Sequence, residues 1–117
     1  MNLNDDTVIA KADYYESYEG WGKWAFVEGN KAAISQYSHC SCYGAEETGA
    51  YEPVWEGDLD ELIMMARNRL DPLIKGRLLD PADYAVGEWF MLYDLIIKSM
   101  DKGFKLVQAE NGVIQDE

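Results

Sequence analysis

A chain of 117 residues with 48% hydrophobic and 13% aromatic residues has enough apolar content for one core, which excludes intrinsic disorder, and residues 1–117 read as a single domain. The 22 Asp and Glu against 10 Lys and Arg give a formal net charge of −12, a field that repels free nucleic acid and anionic membrane and favours a partner protein with a basic surface. The acidic Met1–Asp6 segment lacks a signal-peptide pattern, no apolar run is long enough to span a bilayer, and the only two cysteines stand one residue apart, a poor disulfide framework; these features point to the cytoplasm.

The first half reads as strands. From Thr7 to Tyr18, Val8, Ala10, Ala12 and Tyr14 alternate, and Glu19-Gly20-Trp21-Gly22 then breaks the pattern and predicts a turn. Lys23 to Glu28 and Lys31 to Tyr37 flank Gly29-Asn30, a two-residue hairpin signal of the II′ kind. That turn places Glu28 opposite Lys31 and Val27 opposite Ala32. Ala25, Val27, Ala32 and Ile34 then share one face, and Trp24, Phe26, Ala33 and Ser35 the other. One apolar face should pack on helices; the other is either covered or a sticky surface. From Ala45 to Glu61 no Lys or Arg occurs, and Pro53 and Gly57 punctuate the run, which predicts an exposed acidic loop over most of it.

Asp58 with Glu61 three residues later predicts a capping box opening a helix, continued by Leu59, Leu62, Ile63, Ala66 and Leu70 at helical spacing and ended by Asp71-Pro72. Leu73 to Leu79 reads as a short helical turn. Asp80-Pro81 is a second helix start, and the run from Ala82 to Lys102 presents Ala85, Trp89, Tyr93, Ile96, Ile97 and Met100 on one face, broadened by Phe90, Met91 and Leu92. Gly103 is the predicted stop. Phe104 to Ala109 reads as a strand, with Asn111-Gly112 turning into Val113 and Ile114. The expected fold is α+β: a small antiparallel sheet built from the N-terminal meander, joined by a C-terminal strand or hairpin, packed against two to three helices.

Three places carry chemically capable side chains. In His39-Cys40-Ser41-Cys42, three metal-capable groups fall within four residues, but a closed zinc site needs four, and the chain has no other Cys or His. A carboxylate, or a second copy of the segment in a homodimer, has to complete it. In an extended strand Cys40 and Cys42 point to one face and His39 to the other, so a Cys–His nucleophilic pair needs a sharp bend. The plainer role is structural, with small Cys and Ser side chains at a strand end. The second place is the acidic run, where Glu46, Glu47, Glu52, Glu56, Asp58, Asp60 and Glu61 form a phosphate-like array suited to a basic protein groove, with Tyr51 and Trp55 as anchoring rings. The paired carboxylates lack calcium-loop spacing, and a solvated acidic face is the plainer reading. The third is the two-faced apolar hairpin, a potential assembly surface. No glycine-rich phosphate loop, nucleophile elbow or metalloprotease motif occurs, so neither catalysis nor a cofactor is expected.

Tyr14-Tyr15-Glu16-Ser17-Tyr18-Glu19-Gly20, the hairpin, Ser38-His39-Cys40-Ser41-Cys42-Tyr43-Gly44 and Tyr51-Glu52-Pro53-Val54-Trp55 together resemble a family of small phage and prophage proteins. That family carries a similar Ser-His-Cys-Ser-Cys-Tyr-Gly stretch after two strands and before an acidic Glu-Pro-Trp segment. The resemblance spans Tyr14 to Leu62 and implies a phage origin without assigning catalytic residues. The expectation is therefore a non-enzymatic protein that binds and inhibits a host nucleic-acid-handling or defence protein through its carboxylates. A small metal-binding module and a phage structural or assembly protein are the alternatives.

Overall fold

A computed structural model of the chain describes residues 1–40, 49–70 and 85–115. In chain order these form β1 (Val8–Glu16), β2 (Glu19–Glu28), β3 (Lys31–Cys40), β4 (Pro53–Asp58), α1 (Leu59–Asn68), α2 (Ala85–Asp101), β5 (Val107–Glu110) and β6 (Val113–Ile114). The six strands make one sheet in the order β4-β3-β2-β1-β5-β6. The α+β class is as expected. The sheet is larger than expected and mixed, because β5 pairs with β1 in parallel. The two hairpins place β1 on one side of the meander, and the chain then crosses the sheet through α1 and α2 before it reaches that side, so it enters in the same direction as β1. Of the expected helices, α1 and α2 are described; the predicted turn from Leu73 to Leu79 and the Asp80-Pro81 start lie outside the described residues.

The Gly29-Asn30 turn forms with the predicted register, Glu28 facing Lys31 and Val27 facing Ala32, and Gly29 takes the positive φ of +62° that such a turn requires. The first turn lies elsewhere than predicted. It is Ser17-Tyr18, with Ser17 at φ +55°, and Gly20 and Gly22 belong to β2. Their missing side chains serve close approach. A Cβ on Gly22 would sit 2.5 Å from the Ala12 carbonyl oxygen and 2.7 Å from the Tyr37 ring, and one on Gly20 would sit 2.5 Å from the His39 ring. The two rings lie across the glycines of the neighbouring strand.

A second correction concerns residues 53–58, expected as exposed loop. They form β4, an edge strand paired with β3, with Ala33 opposite Glu56 and Ile34 opposite Trp55. Proline is compatible with the first residue of an edge strand, and half-burying Val54 and Trp55 against the core outweighs the punctuation by Pro53 and Gly57.

The alternation of side chains divides the sheet into two unlike faces. On one, Ala10, Ala12, Ala25, Ala32 and Ala109 form a floor of small residues on which Leu92, Tyr93, Leu95 and Ile96 of α2 and Leu62 of α1 pack. Short side chains let the helices approach, and long ones from the helices fill the layer. Leu95, absent from the predicted face, is fully buried, whereas Phe90 is 38% exposed beneath the Arg69 guanidinium. Helix α1 opens with the predicted capping box, the Asp58 N–H donating to Glu61 Oε1 at 3.3 Å. The other face carries no helix among the described residues. Val8, Trp24, Phe26, Tyr37 and Ala50 bury one another there, with Leu3 and Tyr51 packed over them. No described helix is long and apolar enough to cross a membrane.

Candidate functional site

The described part of the acidic run divides between the turn before β4, β4 itself and the first turn of α1. Glu46 and Glu47 lie outside the described residues. Asp58 and Glu61 are engaged in the α1 cap, and Asp58 also accepts from Lys31 Nζ at 2.9 Å. That contact raises the Lys31 pKa above its ordinary value, through the hydrogen bond first and the Asp58 charge second. The two expected anchor rings are on opposite sides of the sheet. Tyr51 packs edge-on against Trp24 and Phe26 on the helix-free face, and its hydroxyl donates to Asp5, while Trp55 packs against the helix-side core. Asp60 is exposed in the first turn of α1.

What the register assembles instead is an acidic rim on the helix-free face. Glu28, Lys31 and Asp58 stand in one row across β2, β3 and β4, and Glu56 stands beside Ala33 and Phe26 in the next row on the same face. The turn before β4 carries the exposed Glu52, and the N-terminal segment brings Asp5 to this face through its contact with Tyr51. Asp5, Glu28, Glu52, Glu56 and Asp58 are all exposed, and among the described side chains Lys31 stands in the row between Glu28 and Asp58. Lys11, on the same face, is half-buried with its ammonium 4.3 Å from the centre of the Trp24 ring. Asp5 and Glu28 were missed as site residues because they lie far in sequence from the acidic run; only strand pairing and the Asp5–Tyr51 contact bring them to it.

Further along the same face, opposite Gly22 and six positions along β2 from Glu28, is a buried carboxylate. Asp13 accepts from Trp24 Nε1 at 2.8 Å and from the Tyr37 hydroxyl. Burial first, and then the bond to Asp13, push the Tyr37 phenol well above its ordinary range. Both donors reach the same oxygen, Oδ1, which fixes the orientation of both rings. A second polar cluster lies on the helix side. Glu88 in the first turn of α2 accepts from Trp21 Nε1 and from Lys23 Nζ, both at 2.8 Å, and Lys23 is only 3% exposed. Tyr14 stacks on Trp21 at 6.0 Å, and its phenol is pushed up to about 12 by burial and then by the Glu88 charge. Trp89 lies behind, 5.2 Å from the Lys23 ammonium, its Nε1–H without a partner among the described residues.

His39 and Cys40 close β3 in extended conformation, so their side chains leave opposite faces. The His39 ring stacks on Tyr37 at 5.8 Å, and its Nδ1 lies 2.8 Å from the Cys40 carbonyl oxygen. Cys40 stands opposite Glu19, and Cys42 lies outside the described residues. Among the described residues, no three His, Cys, Asp or Glu side chains converge as a metal site would require. No protein-family model matches this chain, and comparisons with curated proteins and with solved structures likewise find no match.

Proposed function

We propose that the chain is a non-enzymatic binding protein of phage type whose acidic rim occupies a basic groove on a host nucleic-acid-handling or defence protein. The observation that carries this reading is the set of exposed carboxylates on the helix-free face, Glu28 and Asp58 flanking Lys31 in one row and Glu56 in the next, around an aromatic cluster on the same face. Regularly placed carboxylates compete for the lysines and arginines that otherwise bind phosphate, and such contacts govern association rate and specificity. A sheet face holds its charges in fixed positions, so little side-chain order is lost on binding beyond that of the carboxylates themselves.

Capture from bacterial lysate on the immobilised protein, in parallel with the Glu28→Gln/Glu52→Gln/Glu56→Gln variant, tests it. The reading expects basic nucleic-acid-binding proteins to be retained at low salt, eluted as salt rises, displaced by duplex DNA and lost from the variant. Retention that is the same on both proteins, or absent for that class at low salt, rejects it.

A further inference from the structure

The β1–β2 hairpin ends in a second acidic and aromatic surface. We infer that this tip, with the cleft beside it, binds an arginine side chain of a basic protein partner. The Ser17-Tyr18 turn sets Glu16 directly opposite Glu19, and both carboxylates are exposed. Like charges directly opposite each other on paired strands destabilise the pairing, and neither forms an ion pair with a described residue. The nearest buried cation, Lys23, is committed to Glu88. Tyr18 at the tip is 78% exposed, the most exposed large apolar side chain described. Beside it opens a cleft of about 440 Å³ lined by Glu19, Gly20, Trp21, Ser38, His39 and Cys40.

Trp21 is prepared for a ligand. Its ring is stacked on Tyr14 and its indole N–H is held by Glu88, so its orientation is set before anything binds. A fixed, half-buried indole with a carboxylate at the cleft mouth is the combination that takes a guanidinium: the planar cation lies on the ring and donates to Glu19. An apolar occupant would leave Glu19 desolvated without a partner, and an anion would face the Glu19 carboxylate with Glu16 opposite it on the paired strand. Charge complementarity therefore selects the cationic side chain. The tip lies at the far end of the ten-residue β2 from Glu28, roughly 30 Å away at the rise of an extended strand, so this site stands independently of the acidic rim.

The test is a titration of the ¹⁵N-labelled full chain with tri-arginine amide at low salt, with tri-citrulline amide as the uncharged isostere. Shift changes should centre on Glu16–Trp21, Ser38–Cys40 and the Trp21 indole for tri-arginine, and be absent for tri-citrulline. Glu19→Gln should weaken affinity roughly tenfold, the loss of one charge-assisted contact. Tyr18→Ala, a change at an exposed turn that spares the core, should weaken it as well, while Glu110→Gln on β5 leaves it unchanged. Equal responses to both peptides, or unaltered affinity in Glu19→Gln, overturn the inference. Shift changes centred on Glu28, Glu56 and Asp58 overturn it too, while leaving the acidic-rim reading in place.

Discussion

The two faces of the sheet are built from the same strands by different means. The helix side is a floor of alanines filled by leucine, isoleucine and tyrosine from α1 and α2, so its cohesion rests on volume and close packing. The helix-free side has no second layer of regular structure among the described residues. It uses large rings that shield one another, Trp24 against Phe26, Tyr37 and Tyr51, and ties two of them to the buried Asp13 carboxylate. A face covered by helices tolerates small side chains. A face without them needs side chains that bring their own cover, and hydrogen bonds that hold those side chains in place.

The largest effect expected from this contrast is on the helix side. Leu95→Ala removes a fully buried side chain and should cost about 2–5 kcal/mol, read from the urea midpoint with unchanged slope, whereas the near-isosteric Leu95→Met should cost less than about 1.5 kcal/mol. On the aromatic side, chemistry should matter as much as volume. Trp24→Phe keeps an apolar ring but removes the donor to Asp13, and leaving a buried acceptor short of a partner should cost about 1–3 kcal/mol. If Trp24→Phe proves neutral, the aromatic side is simply a second hydrophobic core and the contrast falls. Gly22→Ala probes the same face from below. Its Cβ meets the Ala12 backbone oxygen and the Tyr37 ring, so a loss of about 1–3 kcal/mol is expected in the same denaturation assay.

The smallest effect is a pH dependence. The Tyr14 phenol sits at about 12 in the folded protein against an ordinary 10.0, so above pH 10 the folded state holds its proton more tightly than the unfolded chain does. Its contribution to stability is complete below the ordinary value and is lost as pH rises toward about 12. Tyr37 is raised further in the same direction. Denaturation midpoints across the alkaline range, with phenolate absorbance followed alongside, should show a decline that Tyr14→Phe makes shallower below pH 12. An identical decline in Tyr14→Phe would assign the alkaline loss to other groups.

The carboxylates of the proposed site could be counted from the sequence, but their grouping could not be read there. Glu52, Glu56 and Asp58 were named from the acidic run. Glu28 joins them because β2 and β4 both pair with β3, and Asp5 because the N-terminal segment reaches Tyr51. Trp55 was paired with Tyr51 by proximity in sequence, and the fold separates them because β4 is a strand whose side chains take opposite faces, Trp55 falling on the helix side while Tyr51 in the preceding turn packs over the other.

Features set by neighbouring residues were legible in the chain itself. Gly29-Asn30 specified a turn and through it a register; period-two alternation specified the two faces of that hairpin; Asp58 and Glu61 specified a helix start. Each depends on dihedral preferences or hydrogen bonds within a few residues. Gly20 and Gly22 carry the same local signal as a turn, yet their role depends on rings contributed by β3, which local preferences cannot encode. The parallel β1–β5 pair and the conversion of the acidic loop into β4 are of the same kind. Both follow from backbone groups at a sheet edge finding partners distant in sequence, a choice made by the assembled sheet.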